Sequence, residues 1–147
     1  MPGGAIRLNH WLRAAAAAGA SPLASVRVVV WSWSQGRSLK QSLHTHGMDA
    51  ITRIRPSPGV DARHRLTVAG VMRLMGATCL VRSAMLQRWD ADHGRDRPLV
   101  IGVSRDGDAG VLAHAWLEGE RRGSFEELLR RPPPRVTGGP GAGDAVS

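Results

Sequence analysis

The sequence predicts an α+β domain, because helical and strand-like patterns occupy successive parts of one chain of 147 residues. A helical pattern with an apolar stripe follows the only cysteine, Cys79. Two strand-like segments come next, at 98–104 and 111–118, and the pair Asp106-Gly107 between them is a good hairpin signal. These three observations predict a β-hairpin packed on a cysteine-bearing helix.

Helical patterns dominate residues 1–60, which we expect to form a variable, mainly helical N-terminal region. Residues 6–18 are rich in alanine and predict a helix. Residues 24–35 fit either a strand or a buried helix, since a short apolar run does not distinguish the two. Residues 38–54 have helical spacing with a break around Gly47.

Residues 61–130 form the predicted catalytic core. Its first residues overlap a linker-like segment at 55–65 that contains prolines and a glycine. The core begins with a helix over residues 61–76. Its apolar side chains available to a core are Leu66, Val68, Ala69, Met72 and Leu74. Thr78 is the predicted N-cap of the cysteine-bearing helix, and Gly94 lies where that helix is expected to stop.

Two patterns end the chain. The sequence from Ser124 to Glu127 fits a capping box and predicts a short final helix. Residues 131–147 are rich in proline and glycine, so we expect a disordered tail.

The composition is globular and basic, with 20 basic residues, 12 acidic residues and a formal charge of +8. The arginines are mostly scattered, and the chain has no tyrosine and one phenylalanine, so no nucleic-acid interface is predicted. A basic nucleic-acid-binding protein remains an alternative, as does a basic surface that attracts an acidic partner. No apolar run is long enough to predict a membrane span.

The beginning of the chain superficially resembles a signal peptide, because Arg7 and Arg13 precede an alanine-rich run at 14–25. Alanine is only weakly apolar, however, and Gly19 and Pro22 interrupt the run. The single cysteine excludes an internal disulfide and fits a reducing compartment. We therefore expect a cytoplasmic protein.

Cys79 and His114 are the candidate reactive pair. A cysteine in the first turn of a helix lies near the positive end of the helix dipole, which favours the thiolate, and near free N–H groups that can stabilise an oxyanion. A histidine on a following strand can accept and return a proton. In that strand His114 shares a face with Leu112 and Trp116, and Trp116 could shield the imidazole from water.

A metal or cofactor site is not predicted. The grouping of His44, His46 and Asp49 lacks a second ligand pair with metal-binding spacing, and a solvated loop explains it better.

Three motifs occur in the order typical of one enzyme family. They are Cys79, Leu80, Arg82 and Ser83; then Ile101, Gly102 and Val103; then Ala113, His114, Ala115 and Trp116. Over roughly residues 62–127 the chain resembles the leader peptidases of lasso-peptide biosynthesis. These are stand-alone B-type maturation proteases with a transglutaminase-like (papain-like) cysteine protease core.

The resemblance implies a reaction and its partners. Such enzymes cut the leader from a ribosomally made precursor peptide through a thioester intermediate. The resemblance also implies that Cys79 is the nucleophile and that His114 is the general base and acid. The implied partners are the precursor, a separate leader-recognition protein and an ATP-dependent lasso cyclase. No cofactor and no nucleic acid are implied.

The third catalytic residue departs from the family pattern, which places an aspartate about a dozen residues after the histidine. Glu126 lies at that spacing, next to Glu127, and Glu118 is another candidate. A glutamate can orient an imidazole as an aspartate does. If no carboxylate takes this role, a non-catalytic scaffold that binds precursor and cyclase becomes the alternative. An acyltransferase that acts on another substrate is a further alternative.

Overall fold

The computed structural model describes residues 21–106, 110–120 and 123–136. Within them the chain forms helices first and strands afterwards, which confirms the α+β prediction. The helices are α1 (Pro22–His46), α2 (Arg65–Leu74) and α3 (Cys79–Asp92), and short 3₁₀ segments span Gly47–Arg53 and Ala62–His64. The strands are β1 (Leu99–Asp106), β2 (Gly110–Leu117) and β3 (Glu126–Arg131).

α1 resolves the ambiguity of residues 24–35 in favour of a helix. The buried side chains Val28, Trp31 and Leu39 recur at helical spacing and face the core. The helix ends where Gly47 adopts a φ of 54°, a left-handed conformation that favours glycine. The predicted break is therefore confirmed.

α2 is shorter than predicted, and two of its expected core residues are not buried. Val68 and Met72 face α1 and α3, but Leu66 and Leu74 are 71% and 58% exposed. At 100° per residue, the face centred on Val68, Val71 and Met72 turns both leucines toward solvent. The prediction that Leu66 and Leu74 join the core is wrong.

α3 begins and ends as its sequence predicts. The Thr78 hydroxyl accepts a hydrogen bond from the backbone N–H of Val81 at 3.4 Å, which caps the helix. The helix ends at Asp92, and Gly94 follows with a φ of 75°. Met85 and Trp89 fill the core beneath it.

The sheet has the order β2-β1-β3, and β1 is antiparallel to both neighbours. The predicted β1–β2 hairpin is therefore confirmed, although residues 107–109 of its turn lie outside the described part. β3 corrects a prediction, since Ser124 to Glu127 does not cap a helix. The backbone of β3 pairs with the free edge of β1, and those tertiary hydrogen bonds outweigh the local helical signal.

One buried cluster joins the helices to the sheet, with Val28 of α1, Met72 of α2, Trp89 of α3 and Leu117 of β2 among its members. This cluster contains residues from both sides of the domain boundary predicted at 60–61. The boundary itself stays a prediction. The predicted helix at 6–18 and the part of the predicted tail beyond residue 136 lie outside the described residues. Among the described helices, none is long and apolar enough to cross a membrane.

Candidate active site

Cys79 is the first residue of α3 and is half-buried against the edge of the core. The first N–H groups of a helix have no intrahelical acceptor. Thr78 satisfies the N–H of Val81, so the N–H groups of Cys79 and Leu80 remain near the thiol. Free N–H groups at the start of a helix can stabilise an oxyanion, and this role for them stays a prediction.

His114 lies in the middle of β2 and is half-buried among aromatic rings. Its imidazole stacks on Trp116, with ring centroids 5.9 Å apart and planes 19° apart. On another side it meets the ring of Phe125, whose centroid is 5.0 Å away. These two rings restrict the orientation of the imidazole and shield part of it from water.

A hydrogen bond joins the helix of Cys79 to the strand of His114. The hydroxyl of Ser83 donates to the backbone carbonyl of Ala115 at 3.1 Å, and both residues are buried. Ser83 lies one turn after Cys79, about 6 Å along the helix axis. Because Ala115 directly follows His114, the segments that carry the two candidate residues are in contact.

The side chains of Cys79 and His114 are not joined in the structure. Ala115 and Leu117 face the core, as Cys79 does, so strand alternation turns His114 and Trp116 to the other face of the sheet. β2 is an edge strand, and the thiol and imidazole would meet around that edge. Within the described residues, no hydrogen bond links them, so their catalytic pairing stays a prediction.

Glu126 begins β3 and is exposed, and it is not in line with His114. Its partner in β1 is Val103, whereas the partner of His114 is Gly102. Gly102 also pairs with Glu127, so His114, Gly102 and Glu127 form one row across the sheet. No hydrogen bond joins any carboxylate to the His114 ring in the described part of the chain, and the third catalytic residue stays a prediction.

The other two glutamates share a cation. Arg130 makes two hydrogen bonds of 2.9 Å to the carboxylate of Glu127 and a further one to Glu118. The hydrogen bonds that Arg130 donates to Glu127 and Glu118 raise the pKa of Arg130 above its usual range. Glu118 and Glu127 are therefore held by a surface ion-pair cluster.

Gly102 is required by the packing of this face. A Cβ atom at this position would lie 2.6 Å from the Trp116 ring and 2.5 Å from the backbone oxygen of Glu126. The indole of Trp116 therefore lies over β1, between the strand of His114 and the strand of Glu127. The missing side chain of Gly102 makes this arrangement possible.

A cleft of about 820 Å³ opens next to Phe125, although neither Cys79 nor His114 is among its lining residues. Phe125 forms part of its wall and also contacts the imidazole. The remaining lining combines apolar, basic, acidic and hydroxyl groups from Val103, Ser104, Arg105, Leu112, Ser124 and Glu126. A cleft of this composition and size can accept several residues of a peptide.

The sequence did not reveal three features of this site. They are the packing requirement for Gly102, the contact of Phe125 with the imidazole, and the position of Glu127 in line with His114. A β-bulge between the partners of Ile101 and Gly102 shifts the register of β3. The family spacing of about a dozen residues selected Glu126, and it carries no information about this register. Only the strand pairing reveals the row that contains Glu127.

Comparison with known families identifies one match. A family model described as the transglutaminase-like superfamily matches residues 22–131, about three quarters of the chain. No curated protein and no solved structure matches. The family match agrees with the helical N-terminal part and the small antiparallel sheet of the structure.

Proposed function

The chain belongs to the transglutaminase-like superfamily, and from this premise we propose that it is a cysteine peptidase of lasso-peptide maturation. Its substrate is a ribosomally made precursor, and its product is the core peptide with a free amino group. The superfamily includes both peptidases and acyltransferases, so the peptidase activity and the lasso precursor are the proposed parts. Because ribosomes make the precursor, the reaction takes place in the cytoplasm.

The proposed reaction has two steps. The Cys79 thiolate attacks the carbonyl carbon of the last leader residue, and the helix N–H groups stabilise the oxyanion. The His114 imidazolium then gives its proton to the leaving amine, which frees the core peptide and leaves a thioester. His114 next takes a proton from water, and the resulting hydroxide releases the leader as a carboxylate.

The observation that carries this proposal is the contact between α3 and β2. Thr78 caps the helix, so Cys79 occupies its first position. Ser83 binds the carbonyl next to His114, so the strand with the base is fixed against the helix with the nucleophile. To complete the pair, the His114 side chain would have to leave its contacts with Trp116 and Phe125 and turn around the edge of β2. Peptide binding in the adjacent cleft, which shares Phe125 with the imidazole, is the expected cause of that movement.

Two protein partners accompany the proposed reaction on the precursor. A separate leader-recognition protein presents the precursor, and an ATP-dependent cyclase uses the amino group that cleavage exposes. Both follow from the family resemblance of the Cys79 and His114 motifs. The basic charge of the chain is compatible with an acidic peptide or partner.

A non-catalytic scaffold is the second candidate function. The observation that favours it is the environment of His114, whose imidazole packs in a cluster with the rings of Trp116 and Phe125. In the described residues no carboxylate fixes its tautomer by a hydrogen bond. Such a protein would bind precursor and cyclase without cleaving, and a Cys79→Ala variant would retain its full effect.

Mass spectrometry of the precursor separates these functions. The proposed precursor, which we expect to be encoded beside the gene, is incubated with this protein, the leader-recognition protein and the cyclase. We expect leader and core fragments with the wild type, and a loss of at least about 1,000-fold in rate with Cys79→Ala or His114→Ala. His46→Ala, an exposed histidine on α1, is the matched control and should cleave normally. Unchanged cleavage by Cys79→Ala would contradict the peptidase proposal, and precursor binding without cleavage would support the scaffold.

The same assay tests the acidic residue. Glu126→Gln and Glu127→Gln remove one carboxylate each with little change in volume. The row of His114, Gly102 and Glu127 predicts the larger rate loss for Glu127→Gln, whereas the family spacing predicts it for Glu126→Gln. Equal rates for both variants and wild type would show that neither glutamate orients the imidazole.

A further inference from the structure

The outer face of α1 carries a stripe of exposed apolar side chains. Leu23, Val26, Val30 and Trp33 follow one another at spacings of three, four and three residues. Leu23 is 70% exposed, Val30 is 61% and Trp33 is 49%. The opposite face of the same helix supplies the core, so this stripe is not required for folding. Apolar side chains repeated at this spacing are typical of a surface that packs against another helix.

The same stripe continues as basic residues. Arg37, Lys40 and His44 extend the alternating spacing of four and three residues along α1. With Trp33 and Met75 they line a groove of about 350 Å³ between α1 and the end of α2. Neither Arg37 nor Lys40 makes an ion pair with an acidic residue in the described part of the chain. We call the whole row from Leu23 to His44 the seam. It is apolar in its first half and basic in its second.

We propose that this seam binds an amphipathic helix of a partner protein, apolar over one half and acidic over the other. The two halves of the seam demand such a partner, because carboxylates must lie opposite Arg37 and Lys40 while apolar residues cover Val26 and Val30. An antiparallel arrangement places the acidic half at the N-terminus of the partner helix, where the helix dipole also favours negative charge. This proposal is independent of the peptidase activity.

A second copy of this chain does not fit the seam. Parallel pairing would place Arg37 and Lys40 opposite the same cations of the other copy. Antiparallel pairing over the whole seam would place Arg37 opposite Val30 and Lys40 opposite Val26, which would desolvate both cations without a partner. Antiparallel pairing of the two apolar halves alone would leave both basic halves uncovered.

The chain's own terminal segments do not fit the seam either. Residues 1–20 contain no acidic residue, and residues 137–147 contain one. Neither segment can supply carboxylates for the whole basic half.

A membrane surface and a nucleic acid fit less well than a helix. A helix lying in a membrane interface has its cations beside the apolar stripe. Here Arg37 and Lys40 lie in line with it, so flat insertion would bury them. A nucleic acid would satisfy the basic half but would leave Val26 and Val30 against a charged backbone. The lengthwise division of the seam favours a partner helix.

The test uses the full chain and two synthetic peptides of about four heptads each. One peptide has glutamate at its first three seam positions and leucine at the next four, and the other has lysine in place of glutamate. Fluorescence anisotropy of the labelled peptides measures binding. We expect the glutamate peptide to bind at least about tenfold more tightly than the lysine peptide. A double variant, Arg37→Glu with Lys40→Glu, should reverse that preference.

Matched variants distinguish peptide binding at this seam from nonspecific hydrophobic binding. Val26→Ser with Val30→Ser should weaken binding by about tenfold or more. Leu66→Ser and Arg73→Glu change an exposed leucine and an exposed arginine of α2, and both should bind like wild type.

Several outcomes would overturn the proposal: no binding of either peptide, equal binding of both, or failure of the charge reversal to change the preference. Light scattering would assign the seam to a second copy instead if it showed a dimer of the wild type and a monomer of the double variant Val26→Ser with Val30→Ser. Tighter binding to phosphatidylglycerol vesicles or to duplex DNA than to the glutamate peptide would also overturn it.

Discussion

At the scale of the residue, His114 owes its surroundings to a glycine on the neighbouring strand. Gly102 has no side chain, so the Trp116 ring lies across β1 and stacks on the imidazole. A sequence shows the glycine but not the ring above it. Thr78 is the opposite case, because its capping role follows from its position before the helical pattern and is confirmed.

We predict that Gly102→Ala destabilises the protein by about 1–3 kcal/mol. The new methyl group would lie 2.5 Å from the backbone oxygen of Glu126, which cannot move without disturbing β3. It would also displace Trp116 and so reduce precursor cleavage. Urea unfolding measures the stability, and Gly59→Ala is the control, since nothing lies within 4 Å of a Cβ atom there. Equal midpoints for wild type and Gly102→Ala would contradict this packing.

At the scale of the element, α3 is the part that holds the sheet in place. Ser83 binds β2, and one turn later the buried amide of Gln87 donates to the carbonyls of Arg97 and Arg131, at 3.1 Å and 3.2 Å. One side chain therefore ties the start of β1 to the end of β3. The helical pattern of α3 was predictable from its apolar spacing, but these polar anchors were not, because each needs a partner distant in sequence.

Gln87→Leu tests the second anchor. The change preserves most of the volume but leaves two carbonyl oxygens without their donor, so we expect a loss of about 1–3 kcal/mol in the free energy of unfolding. Hydrogen exchange should also become faster in β3, which has no partner strand except β1 in the described residues. Gln41→Leu, at an exposed position of α1, should be nearly neutral. Protection of β3 that is identical in Gln87→Leu and wild type would rule out the anchoring role.

At the scale of the whole molecule, a buried carboxylate connects the helices to the loop before the sheet. Asp90 of α3 is 1% exposed and binds Arg65 of α2 at 2.8 Å and Arg97 at 3.4 Å. Burial by itself lowers the pKa of Arg65, but the hydrogen bond to Asp90 and the charges of Asp90 and Glu120 outweigh burial and raise it. The cluster fixes α2, α3 and the start of β1 relative to one another.

Removal of one cation from this cluster should be costly. Arg65→Met leaves the buried Asp90 with only the longer contact to Arg97, and we expect a loss of about 2 kcal/mol after allowance for the partial exposure of Arg65. Thermal unfolding measures the change. Arg73→Met, at the exposed end of α2, is the matched control. A midpoint as high as that of wild type would show that Arg97 alone neutralises Asp90.

The sequence by itself determined the α+β class, the cap and first residue of α3, the β1–β2 hairpin and the candidate pair of Cys79 and His114. The class, the cap and the hairpin depend on residues close together in the chain, where spacing and capping chemistry act directly, whereas the candidate pair rests on the order of its motifs. Only the tertiary structure decided that β3 is a strand, that Glu127 rather than Glu126 lies in line with His114, and that Leu66 faces solvent. These features depend on which surfaces meet after folding, and local patterns do not encode that choice.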